Sequence, residues 1–226
     1  MNSAILHLEL LSAATFGRGD GVAGLVDREV ERDKDGFPFL RGRTLKGLLA
    51  ESAEDLIFAF EQPGSNKWAK IREKLFGAPG SSLDEAGILH VGDAKLPENL
   101  RRLIWREVKV GSLKRDDMDA SDEIFSMLTG IRRQTAMNHH GAPASDSLRS
   151  MRIILRGAIF EAELSLAYQG EETSTDDYWV LLTGAVLGLR RAGTGRNRGR
   201  GLLKATLVDE GTTRKYFELL SKGGDE

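Results

Sequence analysis

Gly188-Leu-Arg-Arg-Ala-Gly193-Thr-Gly195-Arg-Asn-Arg-Gly199-Arg-Gly201 is the stretch whose surroundings decide the fold. The residues before it, Thr175 to Leu189, read as a helix, and those after it, Leu202 to Val208, read as a strand that closes the chain. A glycine-rich loop running from helix to strand reverses the strand-to-helix order in which dinucleotide folds present a pyrophosphate. A doubly wound parallel sheet is therefore disfavoured. The composition of the loop is equally informative. Between Arg190 and Lys204 there are six cations and no acid. Glycines let backbone N–H groups approach an oxyanion, and interleaved guanidinium forks match phosphate, so Arg190, Arg191, Gly193, Gly195, Arg196, Arg198, Gly199 and Arg200 are candidate RNA-backbone contacts.

Working outward, Ala4, Leu6, Leu8 and Leu10 alternate with His7 and Glu9 in a strand from Ser3 to Leu11. Apolar Ile5 and Leu11 predict burial on both faces toward its ends. A loop at Gly17, Gly19 and Gly21 leads to a hairpin of Leu25 to Arg32 and Phe37 to Leu40, joined at Asp33-Lys-Asp-Gly36. Thr44 is then read as the N-cap of a helix carrying Leu45, Leu48, Leu49, Ala53, Leu56, Ile57 and Phe60 on one stripe. A shorter helix spans Asn66 to Leu75, the loop Ala78 to Glu85 follows, and Gly87 to Ala94 is read as a strand. Helices are expected from Pro97 to Trp105 and from Ser121 through Ile131, and Gln134 to Ser147 as an exposed loop. Arg149 to Leu155 and Ala158 to Ala167 read as strands. Hairpins beside helices, without strict alternation, point to an α+β protein with a ferredoxin-like sheet.

At 226 residues the chain suits one domain with elaborations. No apolar run approaches the roughly 20 residues that cross a bilayer, and Met1-Asn-Ser-Ala-Ile-Leu-His has no export signal, so a cytoplasmic protein without membrane partners is expected. Zero cysteines exclude disulfides and thiolate zinc sites, so any metal needs oxygen ligands. The net charge of -2 argues against indiscriminate coating of nucleic acid. The charges are unevenly placed, however: Asp116, Asp117, Asp119, Asp122 and Glu123 form one acidic cluster, and Glu171, Glu172, Asp176 and Asp177 another.

Three further segments offer chemistry. Arg41-Gly-Arg43-Thr44-Leu-Lys46-Gly47 combines a helix start with cations, an anion seat unless Thr44 merely caps and the cations are solvated. Asp27, between Val26 and Arg28, is a carboxylate that either holds a metal, takes a proton or pairs with a neighbouring arginine. His139 and His140 sit near Arg132, Arg133 and Arg149, the pairing that acid–base cleavage of RNA uses, although loop histidines are commonly just exposed. Serine-hydrolase and P-loop motifs are absent.

Taken in order, Gly24-Leu-Val-Asp27-Arg-Glu-Val30, Gly36-Phe-Pro38-Phe-Leu-Arg-Gly42-Arg-Thr44-Leu-Lys46-Gly47, Leu75-Phe76-Gly77, Leu89-His-Val91-Gly-Asp93-Ala94 and the glycine-rich loop resemble the RAMP superfamily of CRISPR-associated proteins. Within it they are most similar to the repeated backbone subunit of type III interference complexes. The resemblance implies a ferredoxin-like, RNA-recognition-type palm over residues 1–226 with an inserted thumb around 97–148. It also implies that Arg41, Arg43, Thr44, Lys46 and the glycine-rich loop bind CRISPR guide RNA. The implied partners are target RNA, copies of the chain itself in a filament, and other effector subunits including the large polymerase-like one. Asp27 matches an aspartate that cleaves target RNA with a divalent metal such as magnesium. The alternative is a noncatalytic subunit that binds or caps the guide. A precursor-processing nuclease using His139 or His140 is disfavoured by Arg43-Thr-Leu-Lys46-Gly47.

Overall fold

The computed structural model describes residues 3–60, 65–78, 87–112, 119–137, 139–142, 144, 147–167 and 175–222. Asp116, Asp117, Glu171 and Glu172 of the acidic clusters, the loop from Pro79 to Glu85, and Asn138 and Pro143 lie outside those residues.

Strand β1 (Ser3–Leu10) buries Leu6, Leu8 and Leu10 almost completely. Ile5 is 42% and Leu11 47% exposed, so β1 buries one face, not both as their apolar character had suggested. It sits centrally. It pairs antiparallel with β5 (Ile159–Leu166) from Ser3↔Ser165 to Glu9↔Ile159, and with β6 (Leu203–Leu207) from Leu6↔Leu207 to Leu10↔Leu203. β2 (Leu89–Val91) pairs with the far side of β5, giving the order β2-β5-β1-β6. Helix α1 (Gly42–Phe60) joins β1 to β2, and α5 (Thr175–Gly188) joins β5 to β6. This is the βαββαβ arrangement of a ferredoxin-like α+β fold. Leu45, Leu49 and Ala53 of α1 and Trp179, Leu182 and Ala185 of α5 share the core with the inward residues of the sheet. Helix α2 (Lys67–Phe76) adds Ile71 and Leu75 to it.

The connection from β2 to β5 carries α3 (Glu98–Ser112), α4 (Ala120–Leu128), β3 (Thr129–Gln134) and β4 (Arg149–Ile154). β3 and β4 form a separate antiparallel ribbon from Thr129↔Ile154 to Gln134↔Arg149. The helix expected through Ile131 thus ends at Leu128. Ile124, Phe125, Leu128 and Ile131 mimic helical spacing, but Thr129 turns extended at φ -130 and ψ 165, and cross-strand pairing prevails over local periodicity. The Thr129 hydroxyl donates to the Phe125 carbonyl at 2.6 Å and closes the helix. β4 completes the ribbon although it lies beyond residue 148.

Two other expectations need correcting. The chain does not close on β6, because α6 (Glu210–Lys222) follows and packs on α5, with Tyr216 and Trp179 stacked at 6.4 Å between ring centroids. Asp209 starts that helix by accepting the Gly211 N–H at 3.0 Å. Helix α1 begins at Gly42, so Thr44 lies within its first turn. Its cap comes from Asp93, 51 residues away, whose Oδ1 accepts the Gly42 N–H at 2.8 Å. A side chain at residue 42 would strike the Val91 carbonyl, which explains the glycine. The hairpin turn at 33–36 is present: Asp33 Oδ1 accepts the N–H groups of Asp35 and Phe37, both at 3.0 Å.

The loop after β1 is fastened to β4 by a buried ion pair. Glu29, 5% exposed, accepts from Arg152 at 2.7 Å and from the Val30 N–H at 2.9 Å, while the Arg152 guanidinium lies 4.8 Å from the Phe125 ring. Removing one member strands the other in a low-dielectric site. Glu29→Ala should therefore lower the unfolding free energy by about 3–5 kcal/mol, read from urea denaturation. A loss below about 1 kcal/mol, as at an exposed pair, would contradict this role for Glu29.

Candidate nucleic-acid interface

The glycine-rich loop is the tip of a hairpin. Arg191 bridges Leu202 antiparallel, and the Leu203 N–H donates to the Arg190 carbonyl at 2.9 Å, so the chain reverses between Ala192 and Gly201. A single 3-10 turn, Arg196–Arg198, lies inside that reversal. Gly193 has φ +91, and a Cβ there would lie 2.6 Å from the Thr15 carbonyl oxygen. That carbonyl accepts the Thr194 N–H at 2.8 Å, so the loop is pinned to the segment leaving β1. Gly195 has φ +75, and a Cβ there would collide with the Arg200 guanidinium.

Together the loop, the segment after β1 and β4 enclose an open groove of about 800 Å³. Asp27 and Arg28 line it from one side, Gln134, Arg149, Ser150 and Met151 from the ribbon, and Gly193 to Arg198 with Arg200 from the glycine-rich loop. A smaller pocket of about 250 Å³ adjoins it and shares Gly193, Thr194 and Arg196. Arg41 and Thr44 face this second pocket, so both candidate anion seats open onto one loop. Arg43, Lys46, Arg190 and Arg191 line neither opening, and Gly199 sits at the loop's outer bend with φ +75.

Charge is distributed unequally. Arg41 pairs with Glu31 at 2.8 Å, which raises its pKa, and Arg196 pairs with Glu51 at 2.7 Å. Lys46 donates to the Leu89 carbonyl at 2.8 Å, tying α1 to β2, and burial lowers its pKa. Arg200 is 6% exposed and donates to the Met151 sulfur. Desolvation lowers its pKa, and repulsion from Arg132 and Arg198 lowers it further. Asp27 is the one carboxylate among the described residues of the groove wall. Its Oδ2 accepts the Ser150 N–H at 2.6 Å, and its own N–H donates to the Ser150 carbonyl at 2.9 Å. The histidine rings lie tilted against each other at 3.7 Å between centroids and line neither opening.

A divalent metal finds little here on the protein alone. Among the described residues no three His, Cys, Asp or Glu side chains are grouped to hold one, and Asp27 already spends one oxygen on Ser150. Such a donor set does not build a protein-held magnesium site.

The sequence reading missed Arg28, Gln134 and Met151 as wall residues, and placed Arg149 beside the histidines. The signal lay in the ribbon: once β3 pairs with β4, Arg132, Gln134, Arg149 and Met151 share one face.

The RAMP superfamily matches residues 7–204, from within β1 to within β6. This chain belongs to the RAMP superfamily. Among solved structures it is similar to a chain of type III-B Cmr-beta bound to cognate target RNA, with a TM-score of 0.63 and 12% identity, covering 96% of this chain and 99% of that one. The apo state of type III-B Cmr-beta gives the same TM-score and identity, covering 92% of this chain and 98% of that one. Identity this low speaks for the fold. No curated protein matches by sequence. In this RAMP protein, then, the glycine-rich loop sits against the first strand's extension, as its closely packed glycines require.

Gly193→Ala should cost about 2 kcal/mol or more, since left-handed strain of roughly 1–2 kcal/mol adds to the approach of the Thr15 carbonyl. Asn197→Ala, exposed on the same loop, should stay within about 0.5 kcal/mol. Chemical denaturation of both variants compares them, and equal values would mean the loop is not pinned.

Proposed function

We propose that this RAMP protein is a subunit of a type III CRISPR effector complex that holds CRISPR guide RNA along the groove and cleaves complementary target RNA at Asp27. It would act in the cytoplasm, stacked with copies of itself and with other subunits including the large polymerase-like one. The observation that carries this reading is the groove wall: Arg28, Arg149, Arg198 and Arg200, drawn from three separate segments, share it with Asp27 as the one carboxylate among the described lining residues, and Arg196 joins them while paired with Glu51. A polyanion neutralises such a wall, and phosphate contacts position a nucleic acid without reading its bases. Arg41 and Thr44 extend the same surface through the adjoining pocket.

Asp27 is suited to take a proton. Its Oδ1 has no partner among the described residues, while Ser150 orients the carboxylate through Oδ2. As general base it would accept the proton of a ribose 2′-hydroxyl as that oxygen bonds to phosphorus. The bond from phosphorus to the 5′-oxygen breaks, water protonates the leaving oxygen, and a 2′,3′-cyclic phosphate remains. Neighbouring arginines match the charge that develops on the phosphoryl oxygens. A divalent cation such as magnesium would have to arrive with the RNA, whose phosphates supply the oxygens that Asp27 alone cannot.

The noncatalytic reading is favoured by the Asp27–Ser150 hydrogen bonds, which give the carboxylate a structural task. Asp27→Asn separates the two, because an amide oxygen still accepts from Ser150 but takes no proton. Target cleavage by the assembled complex should fall by about 100-fold or more with guide occupancy unchanged. Equal cutting by both versions would leave the chain a scaffold. The wider proposal is tested by sequencing RNA that copurifies with the complex: repeat-derived guides are expected, and random cellular RNA would refute the assignment.

A further inference from the structure

Away from the groove, the β6 edge of the sheet borders a second large opening, of about 560 Å³. It lies where the chain passes from β6 into α6, and it shares no lining residue with the groove or with the pocket beside the groove. Alternation along β6 buries Leu203, Ala205 and Leu207 and leaves Lys204, Thr206 and then Val208 on the uncovered face of the sheet. Tyr216 turns α6 inward against Trp179, so Phe217, about 100° further round the helix, faces out and is 52% exposed. Val208 is 55% exposed, and Leu187 at the end of α5 is half-buried. These three apolar side chains line the same opening, uncovered by any described residue of the chain. Lys204, Arg214 and the imidazole of His7 line it too, and no carboxylate is among the described lining residues. Arg214 pairs with Glu218 one turn along α6 at 3.0 Å, but an exposed pair of this kind is weak and easily exchanged for another carboxylate.

We propose that this opening docks an acidic, apolar segment of a partner protein: a large apolar side chain covers Phe217 and Val208 while flanking carboxylates meet Lys204 and Arg214. The proposal is independent of the RNA reading of the groove. Apolar surface alone would draw a partner without regard to its charge, whereas a rim of one sign selects an anionic one. Nucleic acid is anionic as well, but its charge recurs at every nucleotide. Beyond the opening the uncovered face of the sheet turns acidic, with Glu9 opposite Lys204, Glu161 opposite His7 and Glu163 opposite Ile5. A run of phosphates continuing over the sheet would meet like charge there. A peptide places its carboxylates at the rim only. The opening also lacks what the groove offers a phosphate: none of its described lining residues is a glycine of positive φ, whose N–H groups could close on an oxyanion.

The test titrates the full, isotope-labelled chain with a blocked peptide, Asp-Glu-Leu-Phe-Asp-Glu, and follows the backbone amide resonances. Those of Val208 and Phe217 should shift saturably, and the affinity should fall as salt rises, because screening weakens the rim. Phe217→Ala should weaken binding by about tenfold or more, the share of a buried aromatic side chain, and leave the melting temperature unchanged because the ring is exposed in the free protein. Arg214→Glu should weaken binding of the acidic peptide and strengthen that of a peptide with lysine in place of each acid. Absence of shifts at Val208 and Phe217 overturns the proposal, as does equal binding of the acidic and the lysine peptide by the wild type. Oligo(U) that displaces the acidic peptide would assign the opening to nucleic acid and overturn it as well. Oligo(U) that leaves the peptide bound and shifts groove residues alone supports two separate sites.

Discussion

The extended segment from Leu11 to Phe16 holds the functional surface together, chiefly through backbone hydrogen bonds. On one side Ala14 exchanges bonds with Ile154 of β4 at 3.2 and 2.7 Å, and the Thr15 hydroxyl reaches the Arg152 carbonyl at 2.8 Å. On the other, Gly201 donates to the Ala13 carbonyl at 2.9 Å and Thr194 to that of Thr15 at 2.8 Å. One stretch of chain therefore sets the distance between the ribbon and the glycine-rich loop. Each bond is worth little net, but an unpaired buried peptide group is costly, so the segment has few alternatives once the sheet forms. The groove is the space that these two attachments leave between them.

Acidic residues complete the sorting of charge. Glu29 is consumed by Arg152, Glu31 by Arg41 and Glu51 by Arg196, each at 2.7–2.8 Å. The chain is slightly acidic overall, yet among the described residues that line the groove Arg28, Arg149, Arg198 and Arg200 meet no carboxylate other than Asp27. Net charge thus says little about a nucleic-acid surface when the acids are committed elsewhere. The Glu29–Arg152 pair serves that surface indirectly, by holding the segment that bears Asp27 and Arg28 against β4.

Motif residues divide in an unexpected way. Asp93 and Gly42, each part of a RAMP-like stretch, meet directly as cap and helix start, and Lys46 ties α1 to Leu89 of β2. Those two stretches touch, and together they fix how α1 enters the core. Arg41 and Thr44, interleaved with Gly42 and Lys46 in sequence, face the pocket beside the glycine-rich loop. A short motif here contains a structural staple and a candidate binding surface within six residues, Arg41 to Lys46.

The sequence alone determined what depends on local pattern. Alternation placed β1, β4, β5 and β6, helical stripes placed α1, α2 and α5, and the clustered arginines and glycines marked the loop, because each signal lies within a few residues. Tertiary structure decided the rest. β3 was hidden because Ile131 continues a helical stripe and only pairing with β4 overrides it, and the true cap of α1 lies 51 residues away. That Asp27, Arg149 and Arg200 share one groove depends on the seam at 11–16, whose bonds join mostly backbone groups and so leave little trace in side-chain pattern. The uncompensated burial of Arg200 was likewise out of reach, since burial is a property of what packs around a residue and not of the residue itself.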